Sequence, residues 1–225
     1  PKPRSLEIDS NIPQGRGLGA SASLASDIIR AFYDFFDAEL PQKDLLFYAN
    51  FSENITHGKS SGIDVATVNS EHPLWFIKDS TIEPFELNLH GFIVIGDTGV
   101  HGFTSQAINI VREKLVEENE KTQNSINDLG QLATDSKAFL MTDKLKEFGH
   151  VMNKAHERLS ELGVSHPRLD NLVDTARKNG ALGAKLTGSG LGGVMVALAE
   201  NEKDAIRISQ RLLKNGAKNT WIYSF

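Results

Sequence analysis

Two glycine-rich segments, far apart in the chain, restrict the fold more than any other feature of the sequence. The first reads GRGLGASAS over residues 15–23, and the second reads KLTGSGLGG over residues 185–193. Ordering a glycine costs more conformational entropy than ordering any other residue, so such density indicates that the backbone approaches another group closely. We therefore expect the two segments to do more than connect secondary-structure elements.

The first glycine segment leads directly into a predicted amphipathic helix. Leu24, Ile28 and Phe32 recur at helical spacing over residues 21–37. Upstream, residues 5–12 alternate between apolar and polar side chains, which predicts a β-strand. Glycines followed by a helix start are typical of anion sites, because the free N–H groups and the dipole of the helix face the ligand.

Three interpretations of residues 15–23 compete. A structural turn is the simplest of them. A dinucleotide site fits the glycine spacing, but it requires an acidic residue after a second strand about 20 residues further on, and a helix is predicted there. The third interpretation is a nucleotide-phosphate loop outside the P-loop class, with Ser21 or Ser23 offering a hydroxyl to a metal ion.

A polar cluster follows between the glycine segments. Glu53, His57, Lys59 and Asp64 lie within a short stretch that includes the sequence HGKSS. A P-loop would need a glycine at position 53, so this interpretation is rejected. Two carboxylates at this spacing suit a metal ion and a substrate hydroxyl, although solvated loop charges would give the same pattern.

The remaining periodicities predict an α+β protein, because helices and strands are interleaved without strict alternation. The predicted helices cover residues 43–54, 103–118, 166–179 and 203–215, with two more between 122 and 161. The predicted strands cover residues 74–78, 91–97 and 219–225, and a strand pair flanks the second glycine segment within 183–199.

Composition excludes several classes of function. The 225 residues contain no cysteine, so disulfides, thiolate metal sites and a cysteine nucleophile are absent. A net charge of -5 at pH 7 argues against a nucleic-acid partner. No 18-residue apolar run and no signal peptide is visible. We expect a cytoplasmic protein without a membrane partner.

Taken together, the glycine segments and the polar cluster resemble three motifs of the GHMP kinase superfamily. IPQGRGLGASAS resembles its second motif, with Ala20 in place of the first serine, and KLTGSGLGG resembles its third motif. ENITHGKSSGID is similar to the mevalonate kinase signature, with Ser60 in place of a proline. The resemblance implies a two-domain fold, with an incomplete ribosomal-protein-S5-like N-terminal domain over residues 1–88 and a C-terminal α+β sandwich over residues 89–225.

The resemblance also implies a role for individual residues. Asp64 matches the catalytic aspartate, as a proton acceptor or as an orienting group, and it would also contact the substrate together with His57 and Thr104. Ser21 and Glu53 would hold Mg²⁺. The residues that would bind ATP are Gly15, Gly17, Leu18, Gly19, Ala20, Ser21, Ser23, Gly188, Ser189 and Gly190.

The implied reaction is ATP-dependent phosphorylation of mevalonate to 5-phosphomevalonate. The alternatives are another GHMP kinase acting on phosphomevalonate or homoserine, and a non-catalytic nucleotide-binding homologue. Members of the superfamily carry an earlier motif, whereas this sequence begins shortly before the second one. We therefore expect either a fragment or a truncated homologue, inactive as 225 residues alone. The oligomeric state is open, with a homodimer as one option.

Overall fold

In a computed structural model, residues 5–57, 60–78 and 80–225 of the protein are described. The first part of the chain forms three helices, α1 (Ala20–Phe35), α2 (Gln42–His57) and α3 (Ile63–Val68). Pro41 precedes α2, where its fixed φ suits a helix start. The three helices pack on a small core of Ala22, Ala49 and Val65, all of which are almost fully buried.

A β-hairpin follows the three helices. Its strands, β1 (Leu74–Ile77) and β2 (Thr81–Pro84), pair antiparallel with Trp75 opposite Glu83. The Nζ of Lys137, from a later helix, lies 5.0 Å from the centre of the Trp75 ring. This cation–π contact joins the hairpin to the C-terminal half of the chain.

The rest of the chain builds an antiparallel sheet with helices. The elements in chain order are β3 (Phe92–Asp97), α4 (Thr104–Glu117), α5 (Asn119–Met141), α6 (Leu145–Glu161), α7 (Pro167–Lys178), β4 (Gly183–Leu186), β5 (Val194–Ala199), α8 (Glu202–Lys214) and β6 (Thr220–Ser224). The strands lie in the order β4-β5-β3-β6. Every neighbouring pair in this sheet is antiparallel.

The main hydrophobic core lies between this sheet and helices α7 and α8. Leu172 of α7 and Leu212 of α8 pack in one buried cluster with Val94 of β3 and Met195 of β5. Burial of a leucine contributes about 1.5–3 kcal/mol, so this cluster makes the sheet a rigid platform. The end of β3 and the loop between β4 and β5 are therefore fixed relative to each other.

The structure corrects the predicted strand at residues 5–12. These residues are irregular, and Leu6 and Ile8 are more than half exposed. A strand needs a hydrogen-bonding neighbour, and no described residue pairs with this segment. Two elements that the periodicity did not predict are also present, the short helix α3 and the strand β2.

The other predicted elements occur at or close to their predicted positions, including the strand–glycine–strand arrangement of β4 and β5. The domain division at residues 88 and 89 stays a prediction. Among the described helices, none has the length and apolar character needed to cross a bilayer.

Candidate active site

The first glycine segment ends at the N-terminus of α1. Gly19 is the N-cap residue. In the first helical hydrogen bond, the backbone N of Ser23 donates to the carbonyl oxygen of Gly19 at 2.9 Å. Because the N-cap is a glycine, no N-cap side chain occupies the free N–H groups of the first turn. A Cβ atom on Gly19 would lie 2.8 Å from Cγ1 of Val68, so the absence of a side chain also lets α3 pack closely.

Ser21 and Glu53 meet at this helix start. The Ser21 hydroxyl donates a hydrogen bond of 2.5 Å to Oε1 of Glu53. Glu53 is 4% exposed, whereas Ser21 stands at the surface. The carboxylate sits one helical turn after Ala49, a member of the small core, so packing of α2 fixes its position.

The Ser21–Glu53 pair fits the few protein ligands that Mg²⁺ uses. This ion is usually held by one or two protein oxygens, with phosphate oxygens and water in the remaining positions. Across residues 5–57, 60–78 and 80–225, no three histidine, aspartate or glutamate side chains gather into a larger metal site. A hydroxyl and a buried carboxylate at a helix start therefore suit a divalent metal ion with few protein ligands.

Asp64 lies in the first turn of α3 and is exposed. The next residue, Val65, is fully buried and belongs to the small core. At the other end of α3, Nδ2 of Asn69 donates to Oγ of Ser26 on α1 at 2.9 Å. Since Val65 packs in the core shared by the three helices and Asn69 bonds to α1, the packing of α3 fixes the backbone position of Asp64.

Ser21, Glu53 and Asp64 are therefore carried by three helices of one cluster. Each lies next to a core residue or one turn from it, so the same packing that folds the cluster places the three side chains. The sequence singled out all three.

The second glycine segment packs directly on the first. Gly17 and Gly188 both have φ values in the left-handed region, +74° and +73°. A Cβ on Gly17 would lie 3.3 Å from the Cα of Gly188, and the reciprocal distance is the same. Side chains at these positions would push the two backbones apart, which explains why glycines are needed there.

Asp97, the last residue of β3, and Thr98, the residue after it, contact the two glycine segments. Oγ1 of Thr98 donates to the carbonyl oxygen of Gly193 at 2.7 Å. Nε of Arg16 lies 3.0 Å from Oδ1 of Asp97, and both side chains are largely buried. Sequence reasoning missed Arg16, Asp97 and Thr98. The available signals were an arginine inside a glycine run and an aspartate at the end of an apolar strand.

Two basic side chains contact β4 where the second glycine segment begins. Burial lowers the pKa of Lys185 to about 8, and its Nζ donates to the carbonyl oxygen of Leu186 at 2.6 Å. Burial also lowers the pKa of His156 on α6, with the positive charge of Arg177 as the next cause. The backbone N of Leu186 donates to Nδ1 of His156 at 3.3 Å, so a neutral imidazole holds the strand in place.

The remaining predicted residues are Gly15, Leu18, Ala20, Ser23, His57, Thr104, Ser189 and Gly190. The imidazole of His101 packs against the Cα of Gly15. Thr104 is exposed at the start of α4. The loop residues Ser189 and Gly190 belong to the segment that contacts Gly17, and Leu18 and Ala20 lie in the first segment. The side chain of His57 and the whole of Lys59 fall outside the described residues.

A cleft of about 730 Å³ lies elsewhere, near the start of α5 and the end of α6. Its lining includes the acidic residues Glu118, Asp128 and Glu161 and the basic residue Arg158. Arg158 pairs with Asp128 at 2.9 Å and with Glu161 at 2.8 Å, and the lining as a whole remains acidic. None of the predicted site residues lines this cleft.

Comparison with protein families gives two matches. Residues 2–70 match the model described as GHMP kinases N terminal domain, and residues 137–218 match the model described as GHMP kinases C terminal. Both glycine segments, Glu53 and Asp64 fall inside the matched ranges.

Individual relatives are mevalonate kinases. The mevalonate kinase of Pyrococcus horikoshii is 36% identical over 199 residues, covering 86% of this chain and 59% of the relative. This chain therefore spans about three fifths of the length of that relative.

Solved structures agree with these sequence matches. The L. major mevalonate kinase in complex with R-mevalonate superposes with a TM-score of 0.85 at 26% identity, covering 92% of this chain and 65% of the other. The mevalonate kinase of methicillin-resistant Staphylococcus aureus superposes with a TM-score of 0.74 at 34% identity, covering 95% and 68%. The predicted α+β fold of this family is confirmed.

Proposed function

Because the chain belongs to the GHMP kinase family, we propose that it carries the nucleotide and metal sites of an ATP-dependent kinase that converts mevalonate to 5-phosphomevalonate. The observation that carries the proposal is the contact between Ser21 and Glu53 at the start of α1, next to the paired glycine segments. A hydroxyl, a buried carboxylate and free helix N–H groups at one place match the needs of a nucleotide phosphate chain.

The glycine segments would bind the phosphates of ATP. Backbone N–H groups at the start of α1 carry no hydrogen bond from an N-cap side chain, and the helix dipole adds a partial positive charge. The contact between Gly17 and Gly188 keeps the second segment against the first, which gives the phosphate pocket its shape.

Ser21 and Glu53 would hold Mg²⁺ through oxygen ligands. When bound there, the ion would neutralise negative charge on the phosphate oxygens. The buried position of Glu53 keeps its carboxylate aimed at the Ser21 hydroxyl, so the ligand pair is preformed.

Asp64 would act on the acceptor alcohol. The hydroxyl oxygen of mevalonate attacks the γ-phosphorus of ATP, the bond from that phosphorus to the bridging oxygen breaks, and ADP leaves. The hydroxyl proton passes to the Asp64 carboxylate, or the carboxylate orients the hydroxyl while the proton leaves to water. Asp64 lies on α3, which packs in the same small core as α1 and bonds to it through Asn69.

An ADP-release assay tests this proposal. The protein is incubated with ATP, Mg²⁺ and either mevalonate, phosphomevalonate or homoserine. We expect mevalonate to give the highest kcat/KM. Turnover only with another acceptor would reject mevalonate as substrate, and nucleotide binding without any turnover would identify a non-catalytic homologue.

A further inference from the structure

Arg16 is the only cation in the first glycine segment, residues 15–23. In a loop proposed to bind phosphates, such a residue would ordinarily be assigned to the phosphates themselves. The structure instead brings its Nε to 3.0 Å from Oδ1 of Asp97, and the exposed fractions of the two side chains are 12% and 1%. The contact is an ion pair and not a hydrogen bond, because the buried Nε has no hydrogen-bond partner among the described residues.

Asp97 is a firmly held anchor for this ion pair. Its backbone N donates to the carbonyl oxygen of Asn219 at 2.9 Å, and its own carbonyl oxygen accepts from Lys218 at 2.7 Å. The Oδ1 atom that faces Arg16 also accepts a 2.8 Å hydrogen bond from the backbone N of Gly99. Hydrogen bonds therefore hold both the main chain and the carboxylate of Asp97 in place at the end of β3.

The same strand end also holds the second glycine segment. The backbone N and the Oγ1 of Thr98 both donate to the carbonyl oxygen of Gly193, at 3.0 and 2.7 Å. A Cβ on Gly193 would lie 2.8 Å from the carbonyl oxygen of Arg16, so the two segments touch at this point as well. One short piece of chain, residues 97–98, thus connects to both loops.

We infer that Arg16 is a positioning residue, whose ion pair with Asp97 sets the first glycine segment against the second, and that it is not a ligand of the nucleotide phosphates. The inference rests on the proposed nucleotide site. Removing one partner of a buried ion pair leaves an uncompensated charge, which would displace the loop from its place on the strand end. Displacements of about 1 Å can cost on the order of 10²-fold in activity, so nucleotide binding is expected to be sensitive to this pair.

A double-mutant cycle tests the inference. Arg16→Met, Asp97→Asn and the double variant are compared in the full-length protein, with the dissociation constant of a non-hydrolysable ATP analogue measured by calorimetry and the KM values for ATP and mevalonate by kinetics. Arg112→Met is the matched control, because this arginine is exposed on α4 and bonds only to nearby Asn109 among the described partners.

We expect each single variant to weaken the binding of the analogue by about tenfold or more, and the double variant to weaken it by about the same factor as either single one. The KM for mevalonate should change by less than twofold in these variants. The dissociation constant of the analogue should change by less than twofold in Arg112→Met. If Asp97→Asn binds the analogue like the wild type while Arg16→Met does not, Arg16 is a phosphate ligand and the inference fails.

The double variant guards against misfolding. It removes both charges, so it leaves no unpaired ion in the interior and should fold even where a single variant does not. Its melting temperature is measured first. A folded double variant with wild-type affinity would overturn the inference, as would single effects that multiply. Because analogue binding needs no acceptor, a failure of mevalonate turnover is distinguishable from a failure of this inference.

Discussion

Gly17 and Gly188 face each other across the contact between the two glycine segments, so closely that a Cβ on Gly17 would lie 3.3 Å from the Cα of Gly188. Both residues have φ values in the left-handed region, near +74° and +73°. The contact joins the start of the three-helix cluster to the loop between β4 and β5. Any side chain here would act on both loops at once.

Gly188→Ala should weaken ATP binding. The new methyl group meets the backbone of Gly17, and the left-handed conformation costs an L residue about 1–2 kcal/mol. We expect the KM for ATP to rise by about tenfold and the melting temperature to fall. Gly130→Ala is the matched control, because no atom lies within 4 Å of a Cβ there and the residue sits in the middle of α5. This control should raise stability by about 0.5–1 kcal/mol. Equal effects of the two substitutions would contradict the loop contact.

Ser21→Ala and Glu53→Gln should each raise the Mg²⁺ concentration needed for the half-maximal rate. The first removes a proposed ligand oxygen, and the second removes the charge of the buried carboxylate that the hydroxyl contacts. A Mg²⁺ titration of both variants at saturating ATP provides the measurement. Ser23→Ala serves as the comparison, since this hydroxyl lies in the same helical turn. If only Ser23→Ala shifts the titration, Ser23 is the ligand and the Ser21–Glu53 site is wrong.

Asp64→Asn should retain nucleotide binding and lose turnover. The amide cannot accept the hydroxyl proton, so kcat is expected to fall by roughly 10²-fold or more. Steady-state kinetics and analogue binding separate the two effects. Asp135→Asn is the control, because this half-buried aspartate accepts a hydrogen bond from Gln131 within α5, outside the three-helix cluster. A near wild-type kcat for Asp64→Asn would remove this residue from the proposed chemistry.

Lys185 should make the free energy of unfolding depend on pH. Burial lowers its pKa to about 8 from an unperturbed value of 10.5, so between these values the unfolded chain binds more protons than the folded protein. The contribution of Lys185 to stability should therefore rise as the pH increases from about 8 to about 10.5. Urea unfolding of the wild type and of Lys185→Met across this range gives the difference. A difference that stays flat with pH would show that the ammonium group is not perturbed by burial.

Much of the site could be predicted from the sequence because its parts are local. The helix after residue 20 follows from the spacing of its apolar side chains, and the glycine density of both loops is written in the chain itself. Glu53 and Asp64 stood out because charged residues flank a short glycine- and serine-rich stretch. Secondary structure with a strong period, such as α8, appeared where its pattern placed it.

Local patterns misled where a partner strand was required. Apolar and polar side chains alternate over residues 5–12 as they do in a strand. This alternation shows only that one face of the segment could be buried, whereas a strand forms only when a neighbouring segment supplies hydrogen bonds. No described residue does so for this segment. The helix α3 escaped prediction for the opposite reason, because six residues are too few for a reliable helical period.

The sequence by itself determined the elements, the glycine loops and the kinds of side chain available for phosphate transfer. Only the tertiary structure decided which of them meet. Ser21 reaches Glu53, Gly17 reaches Gly188 and Arg16 reaches Asp97 across long separations in the chain. These contacts are set by the packing of the small helical core and of the sheet with α7 and α8, where buried volume and shape complementarity fix the distance between elements. The sequence shows Arg16 equally well whether its side chain faces a phosphate or a buried aspartate. Only the packing of the folded chain decides between the two.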